Sequence, residues 1–363
     1  MENIKENAAK AIEKLNNKDC GFYFFTLDTK GNPTGGVANI YEHVKVLTEL
    51  GYKAYILHEN TDYVGVSEWL GKEYAELPHI AISAQNHEIT SNDFIIIPEV
   101  FANVMESWAN LPAKKIVFAQ AYEYIFELLN IGATWGQFGI QDVITTSETQ
   151  AKYIKSLFPN LTTHIVPVSI PEYFKTSDKP KKPIVSLCVR DQKEAMKIVK
   201  SFYLQFPMYK WVTFRELRNI PKKQFATALG ESCLSIWVDE IAGFGTFPIE
   251  SFECDTPVIG VVPNMIPEWL LDTNQEDANV SIKNNGVWTN NTLNIPELIA
   301  QYLKVWLEDS VPTNILTGME ESKGKYTSEI QKEKIELVYS QLIENKKVEI
   351  NARLEQAIAQ NQK

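Results

Sequence analysis

The chain has 363 residues, 44% hydrophobic and 22% charged, an ordinary globular composition with length enough for two domains of usual size. Its 35 basic and 46 acidic residues leave a net charge of −11, which opposes general attraction to nucleic acid or to an anionic membrane surface. No run approaches the roughly 18–20 uncharged apolar residues that cross a bilayer, and Met1-Glu2-Asn3-Ile4-Lys5-Glu6 lacks a signal peptide's apolar region, so a cytoplasmic protein is expected.

Along the first half, strand and helix signals alternate. Residues 22–26 form an apolar, aromatic run suited to a buried strand, followed by the turn-rich stretch 28–36. Val37, Ile40, Tyr41, Val44, Leu47 and Leu50 then recur at three- and four-residue spacing, which predicts a helix closed by Gly51. Residues 52–58 read as the next strand, and further strands fit 94–97, 116–119 and 143–146. Ser147-Glu148-Thr149-Gln150 has capping-box spacing and predicts a helix start. Strands spaced by helices predict a parallel, doubly wound sheet, because parallel neighbours need crossover connections. Ligands gather at the carboxyl ends of such strands, here the Gly35-Gly36 loop, Pro98-Glu99, Gln120-Ala121-Tyr122-Glu123 and Ser147-Glu148.

The polar, proline-containing stretch 171–183 is the best linker candidate, and the rhythm restarts after it. A strand fits 184–188, a helix runs through Ala195, Ile198, Val199 and Phe202, and a strand fits 211–214. A helix over 222–229 leads to a strand over 233–238. After Ile295, helices fit 296–307 and 328–343, with Ser328-Glu329-Ile330-Gln331 again at capping-box spacing. Val348, Ile350, Leu354 and Ile358 space out an amphipathic tail, read either as a homodimer contact or as a solvated helix. Cys20, Cys188, Cys233 and Cys254 are scattered among apolar segments and read as buried free thiols. His43, His58, His79, His87 and His164 show no metal or relay spacing and read as structural.

Residues 238–259 carry the most information. The apolar run Leu234, Ile236, Val238 feeds Gly243-Phe244-Gly245, then a helix-like segment bearing Glu250, then a second apolar run into Val258-Ile259-Gly260. A glycine turn between strand and helix lets main-chain N–H groups and a helix N-terminus face an anion, the usual way to hold a phosphate. Glu250, in the first turns of that helix, is placed to accept hydrogen bonds from ligand hydroxyls.

This segment resembles the nucleotide-sugar signature of retaining glycosyltransferases of the GT-B type (glycosyltransferase family 4-like, group 1), in which a Glu-x7-Glu motif surrounds Gly-Phe-Gly. Gly243-Phe244-Gly245, Pro248, Glu250 and Thr256-Pro257-Val258-Ile259 match it. The motif is degenerate here, because its first glutamate falls on Ala242 and a later glycine on Asp255. The resemblance implies an α/β protein of two Rossmann-like doubly wound domains facing a cleft. Residues 1–170 would form the acceptor domain, 184–325 the nucleotide-sugar-binding domain, and 326–363 C-terminal helices, one of which crosses back to the first domain. Ser147 to Leu157 with Ile165-Val166-Pro167-Val168, Asn264 to Glu268, and Asn285-Gly286-Val287-Trp288 resemble further segments of the family.

The implied activity is a hexosyl- or pentosyltransferase using a nucleotide-diphosphate sugar as co-substrate, with retention. Donor binding would fall to Gly35, Gly36, Gly243, Phe244, Gly245, Thr246, Phe247 and Glu250, the last on the ribose. Arg190 and Lys193 would stabilise the diphosphate leaving group, with Gln120 near the sugar where the family often carries a histidine. Glu240, or Asp239 beside it, would stand in for the missing glutamate. With those cations no metal or cofactor is implied, and no Asp-x-Asp motif asks for one. Blander readings exist beside these: Arg190 as a surface ion pair with Asp191 or Glu194, Glu123 as a helix-start carboxylate, and Gly35-Gly36 as a plain turn.

The acceptor stays open among a glycan, a lipid carrier, a protein and a modified nucleic-acid base. Two other classes compete. Ala242 and the absent histidine favour a non-catalytic nucleotide-sugar-binding protein or assembly partner. A dinucleotide-dependent oxidoreductase on similar sheets lacks its Gly-x-Gly-x-x-Gly after the first strand.

Overall fold

The structure, a computed structural model, describes residues 2–85, 87–272 and 281–360. The chain divides into two compact units. Met1–Thr145, Tyr153–Val166 and Gln331–Lys363 form the first, and Thr146–Lys152 with Pro167–Ile330 form the second.

The elements of the first half are α1 (Glu2–Asn16), β1 (Gly21–Phe25), α2 (Gly35–Glu49), β2 (Lys53–His58), β3 (His79–Ala81), β4 (Phe94–Pro98), α3 (Ala102–Ser107), β5 (Lys114–Ala119), α4 (Glu123–Leu128), β6 (Asp142–Thr145), α5 (Glu148–Leu157) and β7 (Thr162–Ile165). The seven strands form one parallel sheet in the order β3-β2-β1-β4-β5-β6-β7. β1 and β4 are buried at every residue, as central strands covered on both faces must be, and so they read as unbroken apolar runs. α2 turns Val37, Ile40, Tyr41, Val44 and Leu47 toward the core. Chain order reverses between β1 and β4, and that reversal makes the carboxyl ends of this pair the switch point of the sheet.

The second half contributes β8 (Lys182–Val189), α6 (Gln192–Gln205), β9 (Thr213–Glu216), α7 (Lys222–Glu231), β10 (Ser232–Val238), α8 (Thr246–Glu253), β11 (Val258–Val261), β12 (Val287–Thr289), α9 (Ile295–Leu307) and α10 (Thr313–Ser322). Its five strands are parallel in the order β12-β11-β10-β8-β9, with the switch point between β8 and β10. Two apolar layers cover the two faces. One gathers Trp237, Phe247, Phe252 and Trp269; the other gathers Val185, Ile198, Phe202 and Leu303.

Three expectations need correction. The strand set at 211–214 starts at Thr213, because the chain is still turning at Val212, whose N–H donates to the Tyr209 carbonyl, and Trp211 is 45% exposed. The stretch 171–183 is not free linker throughout: Phe174 is buried in the second unit's core, Ile170 N–H donates to the Tyr326 carbonyl at 2.7 Å, and β8 has begun by Lys182. The last helix, α11 (Ser328–Gln360), is capped by Thr327 rather than Ser328, for the Thr327 hydroxyl accepts from Ile330 N–H.

From Gln331 onward α11 belongs to the first unit. Ile335, Val338, Tyr339, Leu342 and Ile343 enter the core formed by Phe22, Phe24 and α2. His43 Nδ1 and Tyr339 Oη share a buried hydrogen bond of 3.0 Å. Lys346 donates to the Asp93 carbonyl at 2.7 Å with its ammonium 4.3 Å from the centre of the Phe94 ring. Beyond this point the helix emerges: Val348 is exposed, while Ile350 still packs against the core. No helix among the described residues is long and apolar enough to cross a membrane.

Candidate functional site

The second unit's switch point collects chemistry from three strand–helix connections. Arg190 follows β8 and Asp239 follows β10, the two strands that part there. Arg190 Nε and Nη2 donate to the two oxygens of Asp239 at 2.6 and 2.8 Å, a bidentate pair that fixes the guanidinium plane. The blander sequence reading of Arg190, a surface ion pair, is met in kind, with Asp239 as the partner. Asp191 caps α6, accepting from Lys193 N–H at 2.8 Å, and the Lys193 side chain is exposed. Arg218, just beyond β9, donates to Glu216 and to the carbonyls of Val189 and Arg190. Lys222 opens α7 and donates to Glu250 Oε1 at 2.6 Å.

Glu250 is only 3% exposed, so its carboxylate faces a cation inside the protein. Cys188, near the end of β8, shows how close these charges lie. Burial pushes its thiol up to about 12, and Glu250, Asp239, Lys222 and Arg218 all act on it. The other three cysteines are buried and free, as expected.

The glycine turn of residues 243–245 is built from both sides. Gly245 caps α8 with φ +73°, the left-handed region, and a methyl group there would lie 2.7 Å from the Trp237 ring. Trp269 Nε1–H donates to the Phe244 carbonyl at 2.6 Å, and the Ser147 hydroxyl donates to the Gly243 carbonyl at 3.5 Å. Asn285 in turn donates to the Trp269 carbonyl and accepts from Trp288 Nε1, so the segments around 264–269 and 285–288 buttress the turn. Since a glycine cap has no side chain, the first-turn amides of Thr246 and Phe247 are not capped from within the helix. The N-terminus of α8 is a ready anion seat. Phe244 and Phe247, both expected on the donor, are buried side chains of the core and offer a ligand only their main chain.

Ala242 is buried among apolar neighbours, with no carboxylate in its place. Of its two expected substitutes, Asp239 is held by Arg190, and Glu240 is exposed and contributes its carbonyl to Asn264 N–H. Asp255, where the family carries glycine, holds φ +52° and is paired with Lys323, so the left-handed conformation survives the change of residue.

In the first unit, Gln120 is tied down at both ends of its amide. It donates to the Gly36 carbonyl at 3.1 Å and accepts from Asn39, which accepts in turn from Gln331 of α11. A methyl at Gly36 would meet the Gln120 amide at 3.3 Å, whereas Gly35 has open space around it. Gly35 and Gly36, expected as a loop, form the first turn of α2, and Gln120 ties that turn to the end of β5. Glu99 sits at the switch point of that sheet, buried, with Oε1 accepting from Ala121 N–H at 2.6 Å and Oε2 without a hydrogen-bond partner. Burial pushes its carboxyl up to about 7.

No protein-family model matches the chain, and no curated protein matches it in sequence. Solved structures do match, over nearly the full length. Sucrose-phosphate synthase from Thermosynechococcus elongatus aligns with a TM-score of 0.63 at 11% identity, over 90% of this chain and 100% of that one. The pneumococcal O-GlcNAc transferase GtfA, in complex with UDP and GlcNAc, gives 0.62 at 10% identity over 90% and 99%. Anabaena HepE, in complex with UDP-glucose, gives 0.61 at 11% identity over 88% and 99%. The chain has the GT-B fold. At identities this low the likeness is one of fold, and what a GT-B protein does must be argued from its site.

Within this GT-B chain, Arg190, the turn of residues 243–245, Thr246 and Glu250 come from connections at the carboxyl end of one sheet, and Gly36 with Gln120 at the same end of the other. Lys222 and Arg218 were missed by sequence reasoning. Their one signal is position, a cation just after a strand or at the start of the following helix.

Proposed function

We propose that this protein is a glycosyltransferase, a hexosyl- or pentosyltransferase that moves a sugar from a nucleotide-diphosphate donor with retention and without a metal. One observation carries the reading: the β8/β10 switch point gathers Arg190, Arg218 and Lys222 with the glycine-capped start of α8, next to the carboxylate of Glu250. Departure of a diphosphate builds negative charge on its oxygens, and fixed cations and main-chain N–H groups stabilise that charge without reorganising. Arg190, oriented by Asp239, and the amides of Thr246 and Phe247 fill this role, with Lys193 on α6 as a further cation. Lys222 holds Glu250 in place to accept from the ribose. That UDP or UDP-glucose is bound in solved structures of the same fold supports this choice of donor class.

Titration calorimetry with UDP and GDP, paired with a donor-hydrolysis assay in the presence and absence of EDTA, tests the proposal. Binding of at least one nucleotide, lost or weakened in both Arg190→Ala and Glu250→Ala and unaffected by EDTA, is expected. Intact binding and turnover in both variants would overturn it.

A second reading, a nucleotide-sugar binder without turnover, is favoured by the apolar surroundings of Ala242 and by the engagement of Asp239 with Arg190. Tight donor binding with no transfer across a broad acceptor panel would select it.

A further inference from the structure

Beside the edge strand β3 and the carboxyl end of β2, the first unit encloses an open cavity of about 700 Å³. Tyr55, His58, Tyr63, Tyr74, His79 and His87 bring six rings to its lining. The His58 imidazole stacks on the Tyr63 ring at 4.4 Å with the planes 15° apart, and His79 lies 5.4 Å from the former and 5.5 Å from the latter. Tyr55 and His87 lie 5.7 Å apart, and Tyr74 also lines the cavity. The rings are pinned rather than loose. His58 Nδ1 is bonded to the Asn60 carbonyl at 2.8 Å, His87 Nε2 to Tyr23 Oη at 2.5 Å, and Tyr41 Oη donates to Tyr63 Oη at 3.3 Å.

What the lining omits is as informative. Among the described residues, no lysine, arginine, aspartate or glutamate lines this cavity, in a chain that is 22% charged. Burial holds the His79 imidazole down at about 4 and lowers that of His58, so these rings are neutral near pH 7. A phosphate-bearing lipid carrier or a nucleic acid would bring charge into a wall with nothing to match it. A purely apolar chain would desolvate the imidazole and hydroxyl edges of the wall and offer them no hydrogen bond in return. A pyranose ring meets both demands, with its C–H face against a flat ring and its hydroxyls toward neutral donors and acceptors. The volume lies in the range of small-molecule sites.

We propose that this cavity binds an uncharged carbohydrate, one or two pyranose rings of a glycan, on the platform formed by His58 and Tyr63. Saccharide binding stands by itself; that the bound sugar is the acceptor of the transfer reaction rests on the glycosyltransferase reading above.

Saturation-transfer difference NMR on the full chain with cellobiose, maltose, lactose and chitobiose, against glucose 6-phosphate and glycerol 3-phosphate, tests it. At least one neutral disaccharide is expected to receive saturation and to bind at least tenfold more weakly to His58→Gln and to Tyr63→Leu, which keeps an apolar side chain at the site. UDP affinity should stay within twofold in both variants. No binding by any neutral disaccharide, binding of the phosphates alone, or signals unchanged in the two variants would each overturn the proposal. Saccharide binding in a protein that ignores UDP would leave this cavity standing and sink the donor reading; UDP binding without saccharide binding would do the reverse.

Discussion

Lys222 Nζ donates to Glu250 Oε1 at 2.6 Å, joining the start of α7 to the interior of α8, with the ammonium also 5.5 Å from the Phe174 ring and 5.2 Å from the Phe225 ring. Removing one partner leaves the other charge buried and unmatched. Lys222→Met is therefore expected to cost about 2–4 kcal/mol, below the full buried-pair figure because the lysine is partly exposed. The double change Lys222→Met with Glu250→Leu should recover part of that loss while abolishing nucleotide binding. Urea unfolding and UDP titration measure the two effects separately, and a single variant as stable as the parent would refute the coupling.

Arg190 is the opposite case, because its ion pair with Asp239 is half exposed. Arg190→Ala should leave stability within about 1 kcal/mol of the parent while weakening UDP binding roughly tenfold to a hundredfold, the worth of a charge-assisted contact. Arg190→Lys should not restore affinity, since a point-like ammonium cannot reproduce the bidentate fork. Full rescue by lysine would remove the guanidinium from the account of the site.

Gly245→Ala combines two penalties, a left-handed backbone and a methyl 2.7 Å from the Trp237 ring. A loss of about 2–4 kcal/mol is expected, with the thermal midpoint falling accordingly. Gly35→Ala, where no atom lies within 4 Å, serves as the control and should be near neutral. Equal midpoints for the two variants would contradict the packing described around the turn.

Glu99 gives a pH signature. Its carboxyl is pushed from 4.5 up to about 7 by burial, so the folded state holds this proton more tightly than the unfolded chain does. The stabilisation that follows is complete below about pH 4.5 and lost as the pH rises through about 7. Glu99→Gln keeps an acceptor for Ala121 N–H and carries no charge, so it should match the parent near pH 4.5 and exceed it at pH 8 by up to about 3 kcal/mol. Urea midpoints at the two pH values decide the matter; parallel pH profiles would show that the buried carboxyl does not titrate in this window.

The alternation of strands and helices was legible because β1, β4, β8 and β10 are central strands, whose side chains are mostly apolar on both faces. The short edges were not. β3 and β12 have three residues each and are only partly buried, too little for a period to show. α1 was also missed, its sequence being mostly charged and polar. At the site, Gly245 and Arg190 could be singled out because each stands just after an apolar strand run. Their partners could not, since Asp239 lies 49 positions from Arg190 and Lys222 lies 28 from Glu250, and no local pattern links such pairs. Two of the histidines read as structural, with no relay spacing, are brought together by parallel register, which sets His79 opposite Ile56 and so beside His58.

α11 has a consequence for biogenesis. Tyr339 and Leu342 complete a core that Phe22 and Phe24 begin, yet they leave the ribosome only after the whole of 167–330 has been translated. The earliest-made sheet must wait, one flank uncovered, while the later-made unit has all its strands in hand. Nascent chains stalled before residue 331 would display that bare flank to chaperones and proteases.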